Sequence, residues 1–273
     1  MTMFIRRLQT SGVLMMCACA VLVLCTHVRA QRISVNIIPV VNGAPLRRDT
    51  VAYSNAAGER YSVTRFRMYV SSLHATTARA QVRKSDEPAS VVEMSTGAAR
   101  GSAKKVYLVD ADEATSLRVE AAVDAAGRNA GAVDELRFDI GVDSLLNCSG
   151  VQEGALDPIN GMFWSWNTGY IFLKLEGFSP QSTAQGKKLE YHIGGYKAPA
   201  TCLRTVRLSF APVKLAASST VEIDVQADVS RLFGGTHLVR FSELPVVTDF
   251  RHAEELADNY KDMFRVREVR VVR

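Results

Sequence analysis

Hydrophobic and polar residues alternate along short segments of this chain, most cleanly in Val221-Glu222-Ile223-Asp224-Val225-Gln226. There Val221, Ile223 and Val225 project to one side and the polar residues to the other, as in a strand with one face on a core and one in water. Runs rich in Val, Ile, Phe and Tyr, bounded by Gly, Asn, Asp or Pro, predict strands over 32–41, 62–73, 105–110, 116–123, 136–142, 170–175, 188–193, 203–210 and 220–229. Strands at this spacing, with no helical pattern between them, predict an all-β fold: an antiparallel β-sandwich, immunoglobulin-like or irregular and barrel-like. Two stretches depart from the pattern. Residues 81–104 carry charges, Ser, Gly and Ala without periodicity and read as a surface excursion. Over 250–264, Ala253, Leu256, Ala257, Tyr260 and Phe264 recur at helical spacing, which predicts one short C-terminal helix before a last strand at 265–272.

The first thirty residues follow a different pattern. Arg6 and Arg7 precede an apolar run from Val13 to Cys25, and Val28-Arg29-Ala30 supplies a cleavage site. This reads as a secretory signal peptide, leaving 31–273 as one domain bound for the periplasm or cell envelope. The run is shorter than the ~20 residues of a spanning helix and nothing comparable follows it, so no transmembrane segment is expected in the mature chain. A lipoprotein signal is the weaker alternative, because the bulky Leu24 precedes Cys25.

Without the leader, 30 Lys plus Arg stand against 28 Asp plus Glu. The basic excess therefore belongs mostly to the leader, and no basic stripe interleaved with aromatics marks a nucleic-acid surface. Two cysteines remain, Cys148 and Cys202. In an oxidising compartment they are expected to pair, closing a loop of about 55 residues for roughly 4 kcal/mol of stabilisation.

Candidate chemistry concentrates in Gly161-Met162-Phe163-Trp164-Ser165-Trp166-Asn167-Thr168-Gly169-Tyr170, which holds both tryptophans of the chain. If 163–166 is extended, Trp164 and Trp166 share a face with Met162 beside them. From the residues alone, this is either an aromatic core strand or a binding surface. Histidine is scarce after the leader: His74, His192, His237 and His252, with no HxH, HExxH or His/Cys cluster. His192, in Glu190-Tyr191-His192-Ile193-Gly194-Gly195, runs into a glycine turn and is the best candidate ligand. Imidazole and thioether donors suit copper better than a hard cation. No GxSxG elbow, P-loop or dinucleotide fingerprint is present, so a conventional enzyme finds no support.

Phe66-Arg67-Met68-Tyr69-Val70-Ser71-Ser72-Leu73, Leu136-Arg137-Phe138-Asp139-Ile140-Gly141-Val142, the 161–170 segment, Tyr191-His192-Ile193-Gly194-Gly195 with Cys202, and Leu256–Phe264 occur in that order. This order resembles the MbnP-like family. The resemblance implies a periplasmic or surface β-sandwich, monomeric and not itself an enzyme, that partners MbnH, a MauG-like di-haem cytochrome c peroxidase. In such relatives the peroxidase oxidises a tryptophan to kynurenine and the modified protein binds copper. By position the modified residue is Trp164, and the implied metal set draws on His192, Trp164 and Met162, with His252 a further candidate. The chain departs from the relatives at Trp166 and at Asp157-Pro158, where they carry histidine. A second reading is a structural or carbohydrate-binding envelope protein using Trp164 and Trp166 as an open aromatic platform.

Overall fold

The computed structural model describes residues 32–48, 53–77, 105–164, 169–197, 201–216, 219–249 and 252–272. The expected leader at 1–30 and the excursion at 81–104 lie outside them.

The principal strands are β1 (Arg32–Val41), β2 (Arg60–Thr76), β3 (Val106–Asp110), β4 (Arg118–Val123), β5 (Ala132–Ile140), β6 (Leu173–Phe178), β7 (Lys188–Ile193), β8 (Arg204–Lys214), β9 (Thr220–Asp228) and β10 (Phe264–Val272). Hydrogen bonding links them in the order β7-β6-β2-β4-β1-β9-β10, with β3 and β5 also paired to β2, β8 paired to β5 and the short strand Val246–Val247 beside β7. The all-β expectation holds. The wholly antiparallel one needs correction, because β1 pairs with β9, β4 with β2 and Val246–Val247 with β7 in parallel. β1 and β9 are far apart in the chain, so no hairpin dictates their relative direction.

β2 organises the fold. Its register shifts between Ser71 and His74, and Ser72 adopts φ 52°. A bulge of this kind bends a strand and re-aims it. The first part of β2 consequently pairs with β3 and β6, while its end reaches β4. Ile33, Val35 and Ile37 of β1, Val221, Ile223 and Val225 of β9, Phe66 and Met68 of β2, and Leu173 and Leu175 of β6 are all buried in one core.

The C-terminal helix α1 spans Ala253–Tyr260, shorter than the 250–264 pattern, because residues 261–263 tighten into a 3₁₀ turn and Phe264 already belongs to β10. It buries Ala253, Leu256, Ala257 and Tyr260. Tyr260 donates its hydroxyl hydrogen to the Cys202 carbonyl, and Phe264 meets Phe138 edge-on at 5.1 Å.

The expected Cys148–Cys202 disulfide is not formed. Cys202 is buried in the core with its thiol pushed up to about 12 by burial, whereas Cys148 is exposed at the end of the short helix Ser144–Asn147. No helix among the described residues is long and apolar enough to cross a membrane.

Candidate functional site

The sheet formed by β2, β6 and β7 turns its apolar side inward, with Phe66, Leu173, Leu175, Tyr191 and Ile193 buried. Period-2 alternation therefore sends the intervening polar residues to the opposite face. Register aligns them in two rows across the strands. Arg67 lies opposite Lys174, which lies opposite His192; Arg65 lies opposite Glu176, which lies opposite Glu190.

These rows are tied together by charge. His192 Nε2 lies 2.9 Å from Glu176 Oε1 and its Nδ1 lies 3.8 Å from Glu190 Oε1. Arg65 Nε stands 3.8 Å from Glu176 Oε2, and Arg67 Nε stands 2.7 Å from Asp110 Oδ2 on β3. The hydrogen bond from His192 holds the Glu176 carboxyl below its ordinary range, against the opposing effect of burial. Burial lowers the Lys174 ammonium, with Arg65 and Arg67 adding to the effect and Glu176 and Glu190 working against it.

Residues 163–164 and 169–170 form a short antiparallel pair on this face, Phe163 opposite Tyr170 and Trp164 opposite Gly169. The approach to it is a capped turn: the Asp157 carboxylate accepts from Ile159 N at 2.9 Å, and Gly161 ends the turn in the left-handed conformation at φ 65°. Two cations of the polar rows grip its successive carbonyls. Arg67 Nη1 donates to Asn160 O at 2.9 Å, and Lys174 Nζ donates to Gly161 O.

Behind the pair, Ile171 N donates to Met162 O at 2.9 Å and Phe172 N to Ile193 O at 2.6 Å, which splits the expected 170–175 strand at Ile171. Tyr170 and Tyr69 meet edge-on at 5.8 Å, and their hydroxyls donate to the carbonyls of Leu156 and Ala155 at 2.9 and 3.0 Å. Burial raises both phenol pKa values above the ordinary one, which keeps each hydroxyl a neutral donor.

Trp164 is 5% exposed and lies against Gly194, two residues beyond His192. A Cβ at Gly194 would stand 2.9 Å from Trp164 Cζ3 and would collide with the Tyr170 carbonyl oxygen. The absence of a side chain at 194 is what lets the indole seat there. Gly194 is thus more than the turn residue its sequence suggests.

The expected residues are only partly assembled. Trp164 and the His192 run meet through Gly194. Met162 is buried in the core. His252 is exposed and lies 3.5 Å from Glu255. Trp166 lies outside the described residues. An aromatic platform needs indoles open to solvent, and the burial of Trp164 overturns that reading for this residue.

Both ring nitrogens of His192 face carboxylates, and no group of three or more His, Cys, Asp or Glu among the described residues could hold a metal ion. Lys174, Arg67, Glu176 and Gly194 are not among the site residues expected from the sequence. A lysine inside the apolar run Tyr170-Ile171-Phe172-Leu173-Lys174-Leu175 was the available signal, since a charge in a buried strand needs a partner.

A family model described as MbnP matches residues 30–249 of this chain. Among solved structures the chain is similar to MbnP from Methylosinus trichosporium, with 18% identity over 76% of this chain and 79% of that one and a TM-score of 0.42. No curated protein matches.

Proposed function

Because this chain belongs to the MbnP family, we propose that it is an exported, non-enzymatic partner protein whose Trp164 is oxidised to kynurenine by a MauG-like di-haem cytochrome c peroxidase, MbnH, and which then binds copper. The observation that carries this reading is the placement of Trp164: a largely enclosed indole against Gly194, which lies two residues beyond His192 on the strand that carries part of the charged face. Enclosure favours a residue to be chemically modified in place over one that stacks on a passing sugar ring.

The chemistry is that of an electron-rich indole. The peroxidase, using two equivalents of hydrogen peroxide, adds two oxygens across the indole 2,3 bond and opens the five-membered ring to N-formylkynurenine with release of two waters. Hydrolysis then removes C2 as formate, a net exchange of one carbon for one oxygen that leaves an aniline nitrogen whose lone pair is available to a metal. The unmodified indole is a donor only. Copper enters the proposal through that new nitrogen, with His192 as the imidazole the resemblance retains and Met162 as the candidate soft donor. His192 can be recruited through Nδ1, which stands 3.8 Å from Glu190 Oε1, with the Nε2 hydrogen bond to Glu176 kept to orient the ring.

The test compares protein purified from its own host with protein made where no such peroxidase exists. The native form is expected to carry the kynurenine mass change at Trp164 and to hold copper, and the unmodified form is expected to hold none above background. Equal copper in both forms would separate metal binding from the modification and sink that half of the proposal. In the modified form, His192→Ala is expected to lose copper.

A further inference from the structure

Outside the residues carried by the resemblance, Lys174 is the most unusually placed charge next to the tryptophan segment. It sits mid-strand on β6, 8% exposed, between Arg67 of β2 and His192 of β7 in the cross-strand row. A buried ammonium is costly unless its hydrogens are accepted, and here the acceptor is the carbonyl of Gly161, the residue that ends the turn before Trp164. Arg67, directly opposite on β2, accepts the same task one residue earlier by donating to the Asn160 carbonyl at 2.9 Å. The end of a 3₁₀ turn leaves carbonyls without intrahelical partners, so two cations on the sheet meet two oxygens of the turn that supports Trp164.

We propose that Lys174, seconded by Arg67, is a positioning residue that holds Gly161–Trp164 on the sheet and fixes Trp164 against Gly194 for modification. The inference rests on the proposed oxidation of Trp164 for its functional half, while the clamp itself is a statement about geometry. Arg67 is braced independently by Asp110 at 2.7 Å, which makes it the fixed side of the clamp and Lys174 the side whose removal frees the turn. Charge-assisted hydrogen bonds to a backbone carbonyl are among the stronger ones.

The experiment uses the full mature chain with Lys174→Met, which keeps the length and apolar stem, and Lys174→Arg, which keeps the charge. Hydrogen exchange is followed at the amides of Gly161, Tyr170 and Ile171, which bond to Pro158 O, Asn147 Oδ1 and Met162 O, and at β1 and β9 as a report on global stability. In Lys174→Met, exchange at the three amides is expected to rise on the order of tenfold or more with β1 and β9 unchanged. Kynurenine formation at Trp164 by the peroxidase with hydrogen peroxide is expected to fall by a similar factor, and Lys174→Arg is expected to restore both.

Unchanged local exchange in Lys174→Met would overturn the clamp. A parallel loss of protection in β1 and β9 would also overturn it, by reducing Lys174 to a general stability residue. If the wild-type chain is never converted at Trp164, the oxidation reading fails while the exchange measurement still decides the clamp. Looser exchange with undiminished conversion would overturn the link between the clamp and modification.

Discussion

Gly194→Ala is the most direct probe of how Trp164 is seated. The added methyl would stand 2.9 and 3.1 Å from Cζ3 and Cη2 of the indole and would collide with the carbonyl oxygen of Tyr170. That carbonyl belongs to backbone held on both sides: Tyr170 N donates to Asn147 Oδ1 at 3.0 Å, and Ile171 N donates to Met162 O. The approach to the Tyr170 oxygen is relieved only by a shift of the backbone at 194, and that shift is expected to disturb the seat of Trp164. Overpacking of this kind costs about 1–3 kcal/mol, and for a chain of this size each kcal/mol lowers the melting temperature by roughly 2–4 °C. Expected losses are thus about 2–12 °C by calorimetry or circular dichroism. In a Trp166→Phe background, where Trp164 is the sole indole, the emission maximum is expected to shift to the red and acrylamide quenching to rise. A Gly194→Ala protein melting within about 1 °C of its parent, with unchanged emission, would refute the contact between Gly194 and the indole.

Three further outcomes follow from the same geometry. Thiol labelling of the native mature chain at neutral pH is expected to modify Cys148 quickly and Cys202 only on unfolding, since Cys202 is buried and its thiol is raised to about 12; two unreactive sulfurs that become reactive on reduction would restore the disulfide. Glu176 has its pKa lowered chiefly by the His192 hydrogen bond, so its stabilising contribution is present above the ordinary carboxylate range and is lost as pH falls through the lowered value. Glu176→Gln is expected to flatten that acid limb in a series of urea melts, and an unaltered limb would remove the pair from the account. Tyr69→Phe deletes the donor to Ala155 O and is expected to cost about 0.5–1.5 kcal/mol in urea unfolding, with the largest rise in exchange across 154–160.

The sequence made the fold class legible, though not its topology. β1 and β7 begin and end where the apolar runs do, and Val221, Ile223 and Val225 are buried as their alternation requires. β2 extends beyond its expected end at residue 73 to Thr76, because the bulge at Ser71–His74 lets it continue in a new direction. A bulge leaves no fixed residue signature when the left-handed position is filled by Ser72 rather than Gly. Parallel pairing of β1 with β9 is equally silent, since strand direction between distant segments is set by the path of everything between them.

At the candidate site, the tryptophan segment and His192 stand out in composition and order, while their supports do so only in part. Gly194 reads as a turn until an indole is placed on it, and Lys174, a charge inside an apolar run, signals that it needs a partner without saying that the partner is the Gly161 carbonyl. The disulfide was expected from compartment and count alone. Burial of Cys202 beneath Tyr260 is a tertiary fact that neither quantity carries.

The central claim is that Trp164 is the residue modified, and peptide mass spectrometry of the protein from its own host, with the peroxidase expressed, tests it most directly. The fragment containing 161–170 is expected to carry the exchange of one carbon for one oxygen, localised to Trp164 by fragmentation and absent when the peroxidase gene is deleted. An unmodified Trp164 in the presence of the active peroxidase would contradict it.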